Sequence, residues 1–413
     1  MSALPYLRGI LGIAVLLFLA WALSTNRKKI PIRAILWGLG LQFSFALFIL
    51  KTEIGRLVFD SIRRAASVLI SFSGDGSSFM FGILGAPGKS LKVLDMGEKP
   101  VEFGFSVAFQ VLPVIVFFSA LIALLYHFNI MQKLVAGFAW IMRKTMKISG
   151  AESLAVAANI FVGNVESPLM VRPYLNAMTF SELATVMTAG FATIAGSVMA
   201  AYISFGVDPG HLLAASVMSA PAAILIAKIM YPETEIPKTM GGAAIDRGEK
   251  CTNAIDAIAT GAIQGLKIAA IVGAMLIAFI SLIAMVNFFL SYAETSLGAI
   301  LGYIFAPLAW CMGVESGDVL GVGRLIGTKI AVNELVAYLE LVRLQPELGA
   351  RSGVIALYAL CGFANFGSVA IAIGGISAMA PERQKDLAKL GLKTMFGGAL
   401  ASFLTATIAG MMV

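Results

Sequence analysis

Two glutamates, Glu166 and Glu334, stand in stretches that are otherwise strongly apolar. An ionised carboxylate at the centre of a bilayer costs about 2.5–3.5 kcal/mol on insertion scales, so such residues are functional candidates by default. The structural alternative is a local ion pair, with Arg172 for Glu166 and Lys329 for Glu334. Two further segments set polar, glycine-containing sequence inside apolar runs: Thr193-Ile194-Ala195-Gly196-Ser197 and Phe363-Ala364-Asn365-Phe366-Gly367-Ser368. Unwound backbone at membrane depth is tolerated only where it is buried or lines a cavity. Small residues such as Gly196 and Ser197 also serve close helix packing, whereas Asn365 must place both an amide donor and an acceptor. Two carboxylates, an amide and a hydroxyl, with no basic ring around them, suit a neutral, hydroxyl-rich ligand. Carboxylates accept hydrogen bonds from sugar hydroxyls, an anion would need Arg or a helix N-terminus, and Phe363 suits a ring. Nucleosides, sugars and polyols fit alike.

These residues need a membrane scaffold, and the composition supplies one. The chain has 413 residues, 59% apolar and 13% charged, with a mean hydropathy of +0.90. Soluble domains run near half apolar and a quarter charged, so disorder, a nucleic-acid-binding arm and an ordinary cytosolic enzyme are excluded. The net charge of +7 sits in short clusters between apolar runs, the signature of membrane orientation. Cys251, Cys311 and Cys361 form neither a disulfide framework nor a zinc spacing, and His127 and His211 end apolar runs.

Eight runs approach the ~20 residues a spanning helix needs: 9–23, 34–50, 103–126, 183–205, 211–230, 267–290, 353–379 and 391–413. The cluster Arg27, Lys28, Lys29 and Arg33 follows the first run, which reads as an uncleaved helix rather than a signal peptide. That orientation puts both termini outside and 128–150, 228–260 and 380–393 inside, with their basic residues Lys133, Arg143, Lys144, Lys147, Lys228, Lys238, Arg247, Lys250, Arg383, Lys385, Lys389 and Lys393. The segment 51–102 carries seven basic residues outside, but loops that long are weak voters. Its stretch Ile54, Leu57, Val58, Ile62, Ala65, Ala66 and Leu69, with Arg63 and Arg64 opposite, predicts an amphipathic helix flat on the surface.

Residues 150–178 and 315–345 are apolar but charged, with breakers at Gly163 and Pro168 in one and at Gly327 in the other. They belong to an internal repeat. Ala139-Trp140-Ile141-Met142 matches Ala309-Trp310-Cys311-Met312 at an offset of 170, Glu166 matches Glu334 at 168, and Gly196-Ser197-Val198 matches Gly367-Ser368-Val369 at 171. Each unit reads as span, surface helix, re-entrant hairpin, span, span. Three crossings are an odd number, so the second copy is inverted, as in secondary transporters with a midplane site.

Ala157-Ala158-Asn159-Ile160-Phe161-Val162-Gly163, with Glu166, Pro168-Leu169 and Val171-Arg172-Pro173, closely resembles the first hairpin of the concentrative nucleoside transporter family. Val332-Asn333-Glu334-Leu335-Val336-Ala337-Tyr338 is similar to its second hairpin, and Cys361-Gly362-Phe363-Ala364-Asn365-Phe366-Gly367-Ser368 to its seventh-helix motif. Gly74-Asp75-Gly76-Ser77-Ser78-Phe79 and Gly273-Ala274-Met275-Leu276-Ile277-Ala278-Phe279 extend the resemblance over nearly the whole chain.

The resemblance implies an all-α polytopic membrane protein with eight transmembrane helices, two re-entrant hairpins, interfacial helices and an inverted repeat, assembled as a homotrimer. It implies uptake of nucleosides (uridine, cytidine, adenosine or similar) across a bacterial inner membrane, with Na+ as coupling ion, no organic cofactor and no nucleic-acid partner. A transport domain would move elevator-like against a trimeric scaffold. The expected division is 1–127 (three helices and the surface helix, mostly scaffold), 128–260 (first repeat, transport), 261–297 (sixth helix, scaffold) and 298–413 (second repeat, transport). Carried over, Asn164, Val165 and Glu166 face the base, Glu334, Asn365 and Ser368 hold the ribose, and Val198, Ile268 and Phe363 pack against the ligand. Sodium falls to Asn159, Val162, Thr193 and Ile194. Proton-coupled members tend to lack the Asn, so Asn159 favours sodium over a proton-coupled symporter with a titrating Glu166 or Glu334. The chain departs at Gly163-Asn164-Val165-Glu166, where relatives often read Gly-Gln-Thr-Glu. Losing one hydrogen bond typically changes affinity by about 0.5–1.5 kcal/mol, so the departure bears on base preference and leaves the ribose side intact. An intramembrane enzyme would need a nucleophile–base pair or a metal cluster at depth, which the sequence does not offer. A channel would build its filter from one repeated element rather than two unlike hairpins.

Overall fold

The computed structural model describes residues 4–86, 106–245 and 251–413. The start of the 103–126 run and the basic residues Arg247 and Lys250 lie outside the described residues. The regular structure is helical: α1 (Leu4–Ala22), α2 (Ile32–Lys51), α3 (Glu53–Phe81), α4 (Leu112–His127), α5 (Ile130–Met146), α6 (Gly150–Asn159), α7 (Glu166–Leu169), α8 (Phe180–Ala192), α9 (Gly196–Ser204), α10 (Pro209–Met230), α11 (Ala254–Ser291), α12 (Leu297–Cys311), α13 (Val319–Ala331), α14 (Glu334–Leu344), α15 (Ala350–Leu360), α16 (Phe366–Met379) and α17 (Gln384–Met412).

The element order repeats. A long helix (α4, α11) leads to a helix carrying an exposed tryptophan (Trp140 on α5, Trp310 on α12). A helix–turn–helix pair follows (α6–α7, α13–α14), then a helix interrupted near its middle (α8/α9, α15/α16), then a continuous helix (α10, α17). Among the described residues seven helical stretches are long and apolar enough to cross a membrane: Ile32–Lys51, Glu53–Gly85, Val107–His127, Phe180–Ser204, Pro209–Met230, Ala254–Ser291 and Pro381–Met412. α3 is one of them by length and composition, because it runs on from its amphipathic start to Phe81. The 353–379 run is two shorter helices, split at the polar segment expected to interrupt it.

Helices α8, α10 and α17 are buried almost all round, as a helix without a polar face must be. α1 and α2 pack on them: Gln42 of α2 meets Thr405 Oγ1 at 3.4 Å, and the Thr25 N–H donates to Met230 O at 2.9 Å. α1 and α2 thus pack against α10 and α17. α4 pairs instead with α11, whose buried face is the stripe Ala257, Gly261, Gly265, Ala269 and Leu276. A Cβ on Gly261 would lie 2.7 Å from Ser119 O, and one on Gly265 would lie 2.8 Å from Val116 Cα, so bare glycine sets this close approach.

Gly327 is not a breaker. It lies inside α13, where a Cβ would crowd Leu301 and Phe305, and the chain turns later, at Val332-Asn333. In the first pair Gly163 does sit in the turn, while Pro168 sits within α7.

The starts of α6 and α8 are capping boxes, Ser149 with Glu152 and Thr179 with Glu182, so each carboxylate satisfies a helix-end N–H. Ser149 also donates to Glu182. The buried Lys228 of α10 bonds Glu152 Oε1 at 2.7 Å, Ser181 Oγ at 2.9 Å and Glu233 Oε2 at 3.4 Å. One ammonium thus ties two helix starts to α10. Breaking a buried pair by removing one partner costs about 3–5 kcal/mol, so Lys228→Met is expected to lower the thermal unfolding midpoint sharply in detergent. Adding Glu152→Gln to that variant should recover part of the loss.

Candidate functional site

The two interrupted helices have a common logic. A break leaves carbonyls and N–H groups without helical partners, and these must be satisfied locally in an apolar interior. In the first repeat the break at Thr193-Ile194-Ala195 is closed by the turn after α6, where the Gly196 N–H donates to Phe161 O at 2.9 Å. In the second repeat Asn365 caps α16 by accepting from the Ser368 N–H at 2.8 Å. Asn333 likewise caps α14, accepting from the Val336 N–H at 2.9 Å.

These caps place the two glutamates. Glu166 is the first residue of α7, and its Oε2 accepts from the Gly163 N–H at 2.8 Å. Its Oε1 accepts from Gln264 Nε2 of α11 at 2.9 Å. Glu334 opens α14, where the helix dipole favours a negative charge. It accepts from Tyr202 OH at 3.1 Å and from Asn365 Nδ2 at 2.8 Å. Neither local ion pair forms among the described residues: Lys329 turns away to main-chain oxygens, and Arg172 makes no ion pair.

Between the glutamates lies a cavity of about 320 Å³, within the ~300–1,000 Å³ of small-molecule sites. All nine residues expected to meet a ligand line it: Asn164, Val165 and Glu166 from the first turn, Val198 from α9, Ile268 from α11, Glu334 from α14, and Phe363, Asn365 and Ser368 from the second break. Ser197 and Gly196 do not line it; a Cβ on Gly196 would lie 2.8 Å from Phe161 O, so that glycine serves packing. Val165, the departure from the usual hairpin sequence, packs toward Gly375 of α16, where a Cβ would come within 2.5 Å of its Cγ1. The small residue at 375 is what lets the branched side chain sit there.

The four residues expected at the ion lie behind the cavity wall, all buried. Asn159 Nδ2 donates to Ala155 O, while its Oδ1 is buried without a hydrogen-bond partner. That oxygen lies 3.8 Å from where a Cβ on Gly190 would stand, so it points at α8. Thr193 Oγ1 donates to Ala189 O at 2.8 Å, leaving its lone pairs available. An orphaned amide oxygen, a hydroxyl with free lone pairs and main-chain carbonyls at a helix break are the donor types a hard cation takes.

Comparison with known proteins gives the family. Three family models cover most of the chain: "Na+ dependent nucleoside transporter N-terminus" over residues 11–84, "Nucleoside recognition" over 108–208 and "Na+ dependent nucleoside transporter C-terminus" over 211–410. The chain belongs to the concentrative, Na+-dependent nucleoside transporter family. Membership makes it a membrane transporter rather than an enzyme. It is 45% identical to an uncharacterized transporter of Haemophilus influenzae, over 98% of both chains. It is 42% identical to mouse solute carrier family 28 member 3 and 39% identical to rat sodium/nucleoside cotransporter 1, each over 97% of this chain. It spans 58% and 63% of the length of those two mammalian relatives. Its structure resembles CNTnw in an inward-facing substrate-bound state, at 43% identity and a TM-score of 0.92, covering 98% of this chain and 99% of that one. A doubly substituted CNTnw in an outward-facing state gives 42% and 0.93, covering 100% and 98%.

Gln264, Tyr202 and Met275 were not foreseen. Gln264 and Met275 line the cavity and Tyr202 holds Glu334 from behind. A polar Gln in the apolar α11 was a readable signal; Tyr202 and Met275 gave none, because buried aromatics and methionines usually serve packing. Asn365 carries two bonds at once, so Asn365→Ala should lower the thermal midpoint through the lost cap, worth about 1 kcal/mol. The same change should weaken ligand binding about 10-fold or more, because Glu334 loses its amide donor. Calorimetric titration with a nucleoside reads the second effect separately from the first.

Proposed function

We propose that the chain is a symporter that imports nucleosides across a bacterial inner membrane, drawn by the inward sodium gradient. The observation that carries this reading is the single cavity faced by Glu166 and Glu334, one from each repeat, with Asn365 and Ser368 beside them. Carboxylates and an amide without a basic group suit a neutral ligand rich in hydroxyls, and Phe363 offers a face to a planar ring. Glu334, Asn365 and Ser368 take the ribose. Asn164, Val165 and Glu166 take the base, with Val198, Ile268 and Phe363 as apolar walls. Because Val165 brings no hydroxyl and Asn164 is short, base recognition here runs through Glu166, Gln264 and water.

Sodium binds Asn159 and Thr193 through their side-chain oxygens and Val162 and Ile194 through main-chain carbonyls. The ion closes the first turn against the break in α8/α9, which sets Glu166 at the cavity. Both helix–turn–helix pairs act as re-entrant hairpins, meeting at the midplane as inverted repeats do. The proposed moving body is the two repeats without α4 and α11, with α1 and α2 riding on α10 and α17. The scaffold is α3, α4 and α11, whose exposed faces (Leu266, Ile277 and Phe289 among them) suit lipid and two further copies in a homotrimer. Both chain termini lie outside.

The deciding experiment is radiolabelled uridine uptake into proteoliposomes, with an inward sodium gradient in one arm and a proton gradient without sodium in the other. Uptake with sodium only is expected; uptake with protons only would move coupling to a titrating glutamate, and uptake with neither would turn the search to purine nucleosides. Glu334→Gln should raise the uridine concentration for half-maximal uptake by about 10-fold or more, since a hydrogen bond to a charged group contributes ~1.5–3 kcal/mol. Normal affinity in that variant would remove Glu334 from the ribose. Asn159→Ala should raise the sodium concentration for half-maximal uptake while leaving the maximal rate within reach at high sodium.

A further inference from the structure

Lys329 is fully buried in the last turn of α13, yet it pairs with no carboxylate among the described residues. Its Nζ donates to Ala359 O at 2.8 Å and to Cys361 O at 2.9 Å, the last carbonyls before the break between α15 and α16. Ser402 Oγ of α17 donates to the same Cys361 oxygen at 2.6 Å, and the Phe403 ring lies 5.7 Å from Nζ. A buried ammonium without an ion pair is costly, and Glu334 acts on this one only beyond ion-pair distance. Here the unpaired ends of a broken helix solvate it, as they would solvate a metal cation.

The repeat gives this arrangement its meaning. Asn159 and Lys329 are 170 positions apart, the offset that relates Trp140 to Trp310. Both stand at the end of the first helix of a helix–turn–helix pair and both face the break of the following helix. In the first repeat the side chain there presents an oxygen with no partner. In the second it presents a positive charge.

We propose that Lys329 occupies, as a covalently attached cation, the place in the second repeat that sodium takes in the first, so that one cation site is filled permanently and the other reversibly. The inference rests on the sodium site read above. A lysine ammonium is a compact point charge with three donors, which makes it a fair replacement for an ion held by carbonyls. Its consequence is the coupling ratio: the second break needs no ion from solution, so nucleoside moves with the sodium bound near Asn159 and no other.

The test is Lys329→Asn, which restores at this position the side chain found in the first repeat. Purified and reconstituted, this variant should carry one more sodium ion per uridine than the parent in dual-label flux, and its uptake should depend more steeply on sodium. In detergent, sodium replacing choline should raise its unfolding midpoint more than the parent's, because an added site stabilises by linkage. Lys329→Met, which fills the space without oxygens, should show neither gain. A folded Lys329→Asn with the parent's flux ratio and no extra response of the midpoint overturns the proposal. If Lys329→Asn does not fold, the reciprocal change decides: Asn159→Lys should bind uridine equally with and without sodium, and a folded Asn159→Lys that still requires sodium overturns it. A parent that ignores sodium in uptake would refute the first-repeat site, while an extra sodium response confined to Lys329→Asn would still support the second.

Discussion

A helix broken inside a membrane leaves main-chain groups that water cannot reach, and the rest of this structure is arranged around two such breaks. Each needs partners from outside its own helix. The first is met by the turn after α6, through Gly196 and Phe161, and the second by Lys329, Ser402 and the Asn365 cap. Each break therefore obliges a helix–turn–helix pair to stand beside it. The glutamates follow from this, since each opens the second helix of its pair and so faces the space between the breaks. The cavity is a geometric product of satisfying backbone.

Much of the site was legible because it consists of exceptions. Carboxylates, an asparagine and glycine-rich interruptions are conspicuous in apolar sequence, and the repeat offset showed which of them belong together. The nine expected residues line one cavity, although four of them, Asn164, Val165, Val198 and Ile268, rested on the family resemblance. What escaped were residues whose sequence context is ordinary. Gly327 resembled a breaker, yet its missing Cβ serves contact with Leu301 and Phe305; sequence cannot tell a turn glycine from a packing glycine. Lys228 and Lys329 resembled a loop charge and an ion-pair partner. Their actual roles depend on groups tens of positions distant, Glu152 for one and Cys361 for the other. The two S/T-x-x-E boxes were readable as helix starts and would have fixed α6 and α8 to the residue. The affiliation of α1 and α2 was not readable, because a uniformly apolar helix does not state which neighbour it faces.

Gln264 occupies an unusual position in this scheme. It belongs to α11, which packs on α4, yet its amide holds Glu166 on the first hairpin. The hydrogen bond thus joins the two bodies expected to move relative to each other, across the ligand cavity itself. On the proposed assignment of the base to Asn164 and Glu166, a nucleoside entering between Asn164 and Gln264 would compete for that carboxylate, linking occupancy to the bond between the bodies.

The seam between α4 and α11 has a mechanical meaning. Gly261 and Gly265 open a groove in which the Ser119 and Ala123 side chains seat against bare backbone, with Val116 and Ala120 close by. Side chains seated in this way lock two helices against both separation and shear. The pairing therefore acts as one spar, and any slack introduced there would be felt as play at Gln264, which lies between the two glycines.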